Sequence, residues 1–95
     1  MREKARKIAE LMRQLSNENR LLILCALLQK PMTVGELAKE VPNITVPALS
    51  QHLQKLRSGG LVDATKQGQY VCYCLKDERL RALMEVLKNQ YCTEE

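Results

Sequence analysis

The chain has 95 residues, enough for one domain with a single modest core and too few for two. Its net charge of +4 favours polyanionic partners without identifying one, and no segment approaches the roughly 18 to 20 apolar residues of a membrane-spanning helix. We therefore expect one cytoplasmic domain over residues 1–95 with no membrane contact, whose four cysteines do not form structural disulfides.

The first two predicted elements are helices. From Arg2 to Leu15, apolar residues recur at spacings of three and four, which is typical of one helical face, while the opposite face is basic. The polar "SNEN" at 16–19 then offers helix N-cap residues. The "RLLILCALLQ" that follows is apolar almost all the way round until Pro31 ends it, so this second helix should be central.

A capping box predicts the third helix, which is short. Thr33 and Glu36 stand three apart at the head of "TVGELAKEV", where the threonine side chain and the glutamate side chain can each satisfy the other's backbone amide. Pro42 and Asn43 then predict a turn.

The fourth helix follows that turn at once. Thr45 can cap it, and Pro47 fits its first turn, where a missing amide hydrogen costs nothing. Gly59 and Gly60 end it. Two short helices joined by a turn predict a helix-turn-helix.

The remaining chain predicts a hairpin and a last helix. Residues 61–75 alternate around "KQGQ", which indicates two strands with Gly68 in a tight turn. Asp77 can cap the last helix. The predicted fold is mainly α with a small β-hairpin wing, a winged helix-turn-helix. One face of the last helix carries Leu80, Leu83, Met84, Leu87 and Tyr91.

The fourth helix is the predicted DNA-reading element. Leu49, Leu53 and Leu56 share its core face. Its outward face contains no acid and offers hydroxyl, amide and ammonium groups, which contact base edges and phosphates in a major groove, although many helices carry a solvated polar face of this kind. The predicted DNA contacts on and before this helix are Thr45, Val46, Pro47, Ser50, Gln51, His52, Gln54 and Lys55.

Three of the predicted DNA contacts have a structural alternative. His52 lies on the flank of the apolar stripe, where it could equally pack at the edge of the core and bond to a neighbouring carbonyl. Lys66 and Gln67 at the wing tip can contact phosphate or the minor groove, or can simply belong to a solvated turn.

Four segments, "LSNENRLLIL", "TVGELAKEV", "ALSQHLQKLRSGGLV" and "VCYCLKD", in this order and spacing, resemble the ArsR/SmtB family of small winged-helix repressors. The resemblance covers nearly the whole chain. It implies a homodimer whose first and last helices form the interface, and repression that an inducer relieves. A dimer of such helices should bind an operator that is an imperfect palindrome of double-stranded DNA.

Metal sensors of that family resemble one another in carrying metal ligands either as a cysteine pair in the third helix or with histidine in the last helix. This chain lacks both kinds of site. The third helix contains no cysteine pair, and the last helix contains no histidine. Cys72 and Cys74, two apart on a predicted strand, share a face but supply only two thiolates and are poorly placed to bond to each other. They are either small residues on a half-exposed strand or, with a third thiol, a site for arsenite or another soft metal. We otherwise predict no metal and no cofactor.

Cys25 and Cys92 form a second pair, on the predicted second and last helices. Their placement resembles that of the sulfide-responsive branch of the family, the SqrR, BigR and HlyU type, and implies that they sense reactive sulfur or oxidants. Cysteine inside an apolar helix can instead be inert. For Cys92, Lys88 favours the thiolate, while Glu94 and Glu95 oppose it.

The sequence therefore predicts a homodimeric, DNA-binding repressor. Its operator binding should be relieved when reactive sulfur or an oxidant modifies Cys25 and Cys92. Two alternatives remain open: a soft-metal repressor of the same fold that uses Cys72 and Cys74, and a constitutive module with inert thiols. We do not expect an enzyme, since the sequence shows no carboxylate pair, no nucleophile with a base and no phosphate-binding loop.

Overall fold

A computed structural model describes residues 1–92 of the chain. It contains every predicted helix and the predicted hairpin, together with one short strand that the sequence did not predict. The elements in chain order are α1 (Arg2–Leu15), α2 (Glu18–Leu27), β1 (Met32–Thr33), α3 (Val34–Glu40), α4 (Val46–Ser58), β2 (Val62–Gln67), β3 (Tyr70–Leu75) and α5 (Glu78–Tyr91).

Side-chain caps begin α2 and α3 where the sequence predicts them. Asn17 Oδ1 accepts from the Arg20 amide at 3.1 Å. The Thr33 hydroxyl accepts from the Glu36 amide at 3.2 Å, and the Glu36 carboxylate accepts from the Thr33 amide at 2.9 Å, so the predicted capping box is confirmed. The bond from the Thr33 amide is the main reason that the pKa of Glu36 is lowered.

The turn into α4 and the end of α4 also follow local chemistry. Asn43 adopts a left-handed conformation with φ 62°, which asparagine tolerates better than most residues. Thr45 caps α4 by accepting from the Ala48 amide at 3.2 Å. After the helix, Gly60 has φ 80°, and the chain then turns into the wing.

The three strands form an antiparallel sheet in the order β1-β3-β2. The hairpin of β2 and β3 confirms the predicted wing, and Gly68 has φ 63° in its two-residue loop. The short β1 pairs with the other edge of β3, Met32 opposite Tyr73 and Thr33 opposite Cys72.

One expectation about β3 is only partly correct. Strand alternation predicts that Val71, Tyr73 and Leu75 face the core together. Leu75 is buried and Tyr73 packs partly against the core, but Val71 is 39% exposed. Val71 pairs with Lys66 near the tip of the hairpin, which extends beyond the helices that would cover it.

A single cluster of buried aliphatic side chains lies between the helices and the inner face of the sheet. α2 supplies its centre, with Ile23 and Leu24 fully buried, as the nearly all-round apolar sequence of that helix predicts. The three α4 leucines assigned to the core, Leu49, Leu53 and Leu56, are likewise fully buried. Burial of this face fixes which α4 side chains point outward. Within residues 1–92, no helix is long and apolar enough to cross a membrane.

Candidate DNA interface and thiol pair

The outward face of α4 is free of covering side chains in the described part of the chain. Seven of the eight predicted DNA contacts on and before this helix are exposed, and His52 alone is half-buried. The helix contains no acidic residue, and its last turn carries two cations. The seven exposed residues are Thr45, Val46, Pro47, Ser50, Gln51, Gln54 and Lys55.

A groove of about 540 Å³ lies between α4 and the wing. Ser50 and Gln54 line it, as do three residues that sequence reasoning did not assign to the site: Arg57, Ser58 and Tyr73. Arg57 follows Ser50 by seven positions, two helical turns, so its position on the same side of α4 could have been found from the sequence. Tyr73 was assigned to the core, and only the packing of the sheet reveals its edge in this groove.

The wing places a cation and an amide next to its tip. Lys66 and Gln67 end β2 and are both exposed. They lie directly before Gly68, at the end of the hairpin farthest from the core. Their side chains are therefore available to a partner that also touches α4.

The structure gives His52 a side-chain partner that the sequence did not suggest. Its Nδ1 atom accepts a hydrogen bond from Nε of Arg20 on α2 at 3.3 Å, whereas the sequence suggested that the ring bonds to a neighbouring carbonyl oxygen. The same guanidinium donates through Nη1 to Oε1 of Gln14 on α1 at 3.0 Å. One arginine thus connects three helices. Sequence spacing gave no indication of this contact because Arg20 and His52 are 32 residues apart.

Cys25 and Cys92 are brought towards each other by the packing of α2 against α5. Nη1 of Arg81 on α5 donates to the Leu28 carbonyl oxygen at the end of α2 at 3.1 Å, which fixes the two helices together. Cys25 is half-buried, whereas Cys92 is exposed at the end of α5.

The electrostatic environment of Cys25 includes Cys92. Burial is the main cause that raises the pKa of Cys25, a negative charge on Cys92 raises it further, and Lys88 opposes both effects. Both thiols are unbonded. Glu94 and Glu95, which were expected to disfavour a thiolate at Cys92, lie outside the described residues.

Cys72 and Cys74 lie on the outer face of the sheet, as predicted for residues two apart on a strand. Their cross-strand neighbours on β2 are Thr65 and Asp63. Both cysteines are half-buried. Among residues 1–92, no three His, Cys, Asp or Glu side chains come close enough together to hold a metal ion.

The ends of the chain present apolar side chains to solvent. Every residue from 1 to 10 is exposed although α1 is helical, and the stripes noted on α1 and α5 are divided between core and surface. Leu15, Leu80 and Met84 are buried in the core. The exposed large apolar residues of the two helices are Ile8, Met12, Val86 and Tyr91.

Comparison with known proteins identifies the family. The family described as "Bacterial regulatory protein, arsR family" matches residues 17–64, from the N-cap of α2 into β2. The chain belongs to the ArsR family. It is 40% identical over 92 residues to the transcriptional activator HlyU of Vibrio cholerae, an alignment that covers 97% of this chain and 84% of that protein.

Solved structures of ArsR-family relatives share the whole fold. Reduced HlyU from V. cholerae matches with a TM-score of 0.91 over 98% of this chain and 97% of that one. The repressor BigR from Xylella fastidiosa matches at 31% identity with a TM-score of 0.86, covering 99% of this chain and 95% of that one.

A third relative, the homodimeric winged helix-turn-helix DNA-binding domain of Mb0332 from Mycobacterium bovis, matches at 32% identity with a TM-score of 0.77. The match covers 94% of this chain and 84% of that one. The predicted winged helix-turn-helix is confirmed, and the chain is a DNA-binding transcriptional regulator and not an enzyme.

Proposed function

We propose that this regulator is a cytoplasmic homodimeric repressor that leaves its operator when Cys25 and Cys92 are modified by reactive sulfur or an oxidant. The observation that carries the sensing part is the packing of α2, which contains Cys25, on α5, which Cys92 follows; a negative charge on Cys92 also adds to the effect of burial in raising the pKa of Cys25. The DNA-binding part is supported by the exposed, acid-free face of α4.

α4 enters the major groove of the operator. Ser50 and Gln51 supply a hydroxyl and an amide for base edges, while Lys55 supplies a cation for phosphate. Lys66 and Gln67 on the wing contact the neighbouring backbone or minor groove. Two copies of α4 in a dimer enter successive major grooves about 34 Å apart, so the operator is an imperfect palindrome.

The dimer forms through α1 and α5. Ile8 and Met12 on α1, with Val86 and Tyr91 on α5, are large apolar side chains that the described part of the chain leaves exposed. Large apolar side chains exposed on two helices of a small protein favour association with a second copy. The interface then determines the distance between the two recognition helices.

Sensing begins at Cys92 because it is exposed, whereas Cys25 is half-buried and burial raises the pKa of its thiol, which makes its thiolate scarcer. The Cys92 thiolate attacks the outer sulfur of a low-molecular-weight persulfide and becomes a persulfide itself, and the departing thiolate takes up the proton. Cys25 reacts in the same way with a second persulfide. The two protein persulfides then condense to a trisulfide and release one molecule of hydrogen sulfide.

A three-sulfur bridge has a structural consequence because its ends are on different helices. It spans more distance than a disulfide, and it ties the end of α5 to the middle of α2. Since α5 belongs to the proposed interface, a change in its position changes the spacing of the recognition helices. Peroxide supplies no additional sulfur, so it cannot make the longer bridge.

A second candidate is a repressor of the same fold that binds arsenite or another soft metal through Cys72 and Cys74. Both thiols are on one face of β3 and both are partly accessible, as this candidate requires. It needs a third thiol, which residues 1–92 of one chain do not bring to that face. A constitutive module with inert thiols would respond to no inducer.

Two measurements test the proposal. Genomic DNA fragments retained by the protein should share an imperfect palindrome; retention without a common sequence would contradict specific repression.

Mass spectrometry after separate exposure to persulfide, peroxide and arsenite should show added sulfur between Cys25 and Cys92 after exposure to persulfide only. A Cys72→Ser, Cys74→Ser double variant is the matched control and should give the same sulfur adduct. Arsenic bound only when Cys72 and Cys74 are present would favour the second candidate.

A further inference from the structure

Arg20 holds one edge of the imidazole ring of His52. The bond from Arg20 Nε to His52 Nδ1, at 3.3 Å, joins α2 to α4 across a partly buried contact. Gln14 accepts from the same guanidinium at 3.0 Å, and Asn17 accepts from the Arg20 amide at 3.1 Å, so both ends of the arginine are fixed. The donor that His52 meets is therefore held in place from α1 and from the N-cap of α2.

This bond determines which ring nitrogen carries the proton. Arginine is always a donor, so Nδ1 of His52 must be the unprotonated acceptor. The proton of the neutral ring then lies on Nε2, which is separated from Nδ1 by one carbon and points away from it. His52 is half-buried and lies between the exposed Gln51 and the fully buried Leu53 on α4. With Nδ1 turned towards Arg20, the Nε2–H donor lies on the other edge of this half-buried ring.

Burial and two cationic neighbours disfavour protonation of the His52 ring. Burial is the main cause that lowers the pKa of His52, and Arg20 from α2 and Lys55 from α4 itself lower it further. α1 contributes the uncharged Gln14 to the same contact. Protonation of Nδ1 would remove the acceptor and leave two cations face to face.

We propose that Arg20 is a positioning residue that holds His52 as a neutral Nε2–H donor on the recognition helix, where this donor contacts a base acceptor in the operator. The proposal rests on the proposed role of α4 as the DNA-reading element. Acidification through the pKa of His52 breaks the Arg20 bond and adds positive charge. Operator binding should then weaken relative to random DNA, whose attraction to the protein depends mainly on charge.

The tautomer can be tested directly because the chain contains one histidine. Long-range ¹H–¹⁵N spectra of the imidazole should show the proton on Nε2 and a pKa below the ordinary value of about 6.5. In Arg20→Leu the spectra should show a mixture of tautomers and a higher pKa, whereas Arg20→Lys, which keeps a donor, should restore part of the wild-type pattern. Arg6→Leu removes the same charge from an exposed α1 position and should change neither.

The operator experiment uses the same variants between about pH 5.5 and 8. Wild-type preference for operator over random DNA should fall as pH falls through the pKa of His52. Arg20→Leu should lower that preference about ten-fold at pH 7.5, the size of one hydrogen bond, and should remove its fall at low pH, because no Arg20 bond remains to be broken. His52→Asn keeps an acceptor for Arg20 without a donor at Nε2, so it should reproduce the loss in a chain whose thermal stability is unchanged.

The outcomes separate this inference from the function on which it rests. If the wild type binds its operator but Arg20→Leu leaves the tautomer unchanged, the positioning role is wrong and the repressor function stands. The inference would also be overturned if Arg20→Leu altered the tautomer while operator preference stayed unchanged in both Arg20→Leu and His52→Asn. Absence of any operator preference in the wild type would overturn both.

Discussion

Cys25 on α2 and Cys92 at the end of α5 interact electrostatically: a negative charge on Cys92 raises the pKa of Cys25. The two thiols differ in exposure, Cys92 being open to solvent and Cys25 half-buried. Burial is the main cause that raises the pKa of Cys25, so this raised pKa and the exposure of Cys92 both favour reaction at Cys92 before Cys25. The pair therefore has an intrinsic order of reaction.

Alkylation should follow that order. At pH 7 iodoacetamide should label Cys92 first, and labelling of Cys25 should accelerate as pH rises towards its raised pKa, because only the thiolate reacts. Peptide mass spectrometry at timed intervals measures both rates. Lys88→Gln removes the charge that favours the Cys25 thiolate and should slow Cys25 further. Faster labelling of Cys25 than of Cys92 would contradict the order.

The recognition face should carry sequence preference. Ser50→Ala or Gln51→Ala should cost about 1 to 3 kcal/mol of binding free energy on the operator and little on random DNA, because each removes a group that contacts base edges. Fluorescence anisotropy with both DNAs measures the difference. Gln29→Ala, an exposed amide outside α4, is the control and should change neither affinity. Unchanged operator affinity in both recognition variants would show that the assigned face is wrong.

The wing should contribute affinity without sequence preference. Lys66→Ala should weaken binding to operator and random DNA alike and should lower the slope of log affinity against log salt by about one, since one phosphate contact is lost. Titrations at several salt concentrations measure this slope. Lys30→Ala, also an exposed lysine, controls for net charge alone. An equal change of slope in both variants would argue against a wing contact.

The start of α5 should be sensitive to acid. Asp77 caps this helix and pairs with Arg79 at 2.8 Å, and bonds from Arg79 lower the pKa of Asp77 to about 2. Because the pKa is lower in the folded than in the unfolded chain, the stabilisation is complete above about pH 4 and is lost as pH falls through about 2.

Thermal melts between pH 5 and 2 test this effect. Asp77→Asn should be less stable than the wild type at pH 5, and the difference should shrink towards pH 2. Asp63→Asn, an exposed residue on β2, is the control. A difference between wild type and Asp77→Asn that stayed constant with pH would contradict the charge effect.

The elements with local chemical causes were predictable from the sequence. The Thr33–Glu36 capping box, the Thr45 cap and the glycine of the wing turn each depend on residues within a few positions of one another. The two residues of β1 were not predictable, because two residues show no periodicity and they form a strand only through pairing with β3.

The contacts of the candidate sites depended on tertiary packing. Alternation predicted that Val71 is buried, but strand periodicity does not reveal where the hairpin extends beyond the core. The partner of His52 was also missed, since Arg20 reaches it only when α2 packs beside α4. The pairing of Cys25 with Cys92 came from the family resemblance and not from the periodicity of either helix.

The most direct test of the central claim is release of a labelled operator by persulfide, measured by anisotropy in four chains. The wild type and the Cys72→Ser, Cys74→Ser double variant should both bind the operator and release it. Cys25→Ser and Cys92→Ser should bind with unchanged affinity and fail to release it. Loss of release in the double variant, with release retained in Cys25→Ser and Cys92→Ser, would contradict the account and assign sensing to the wing strand.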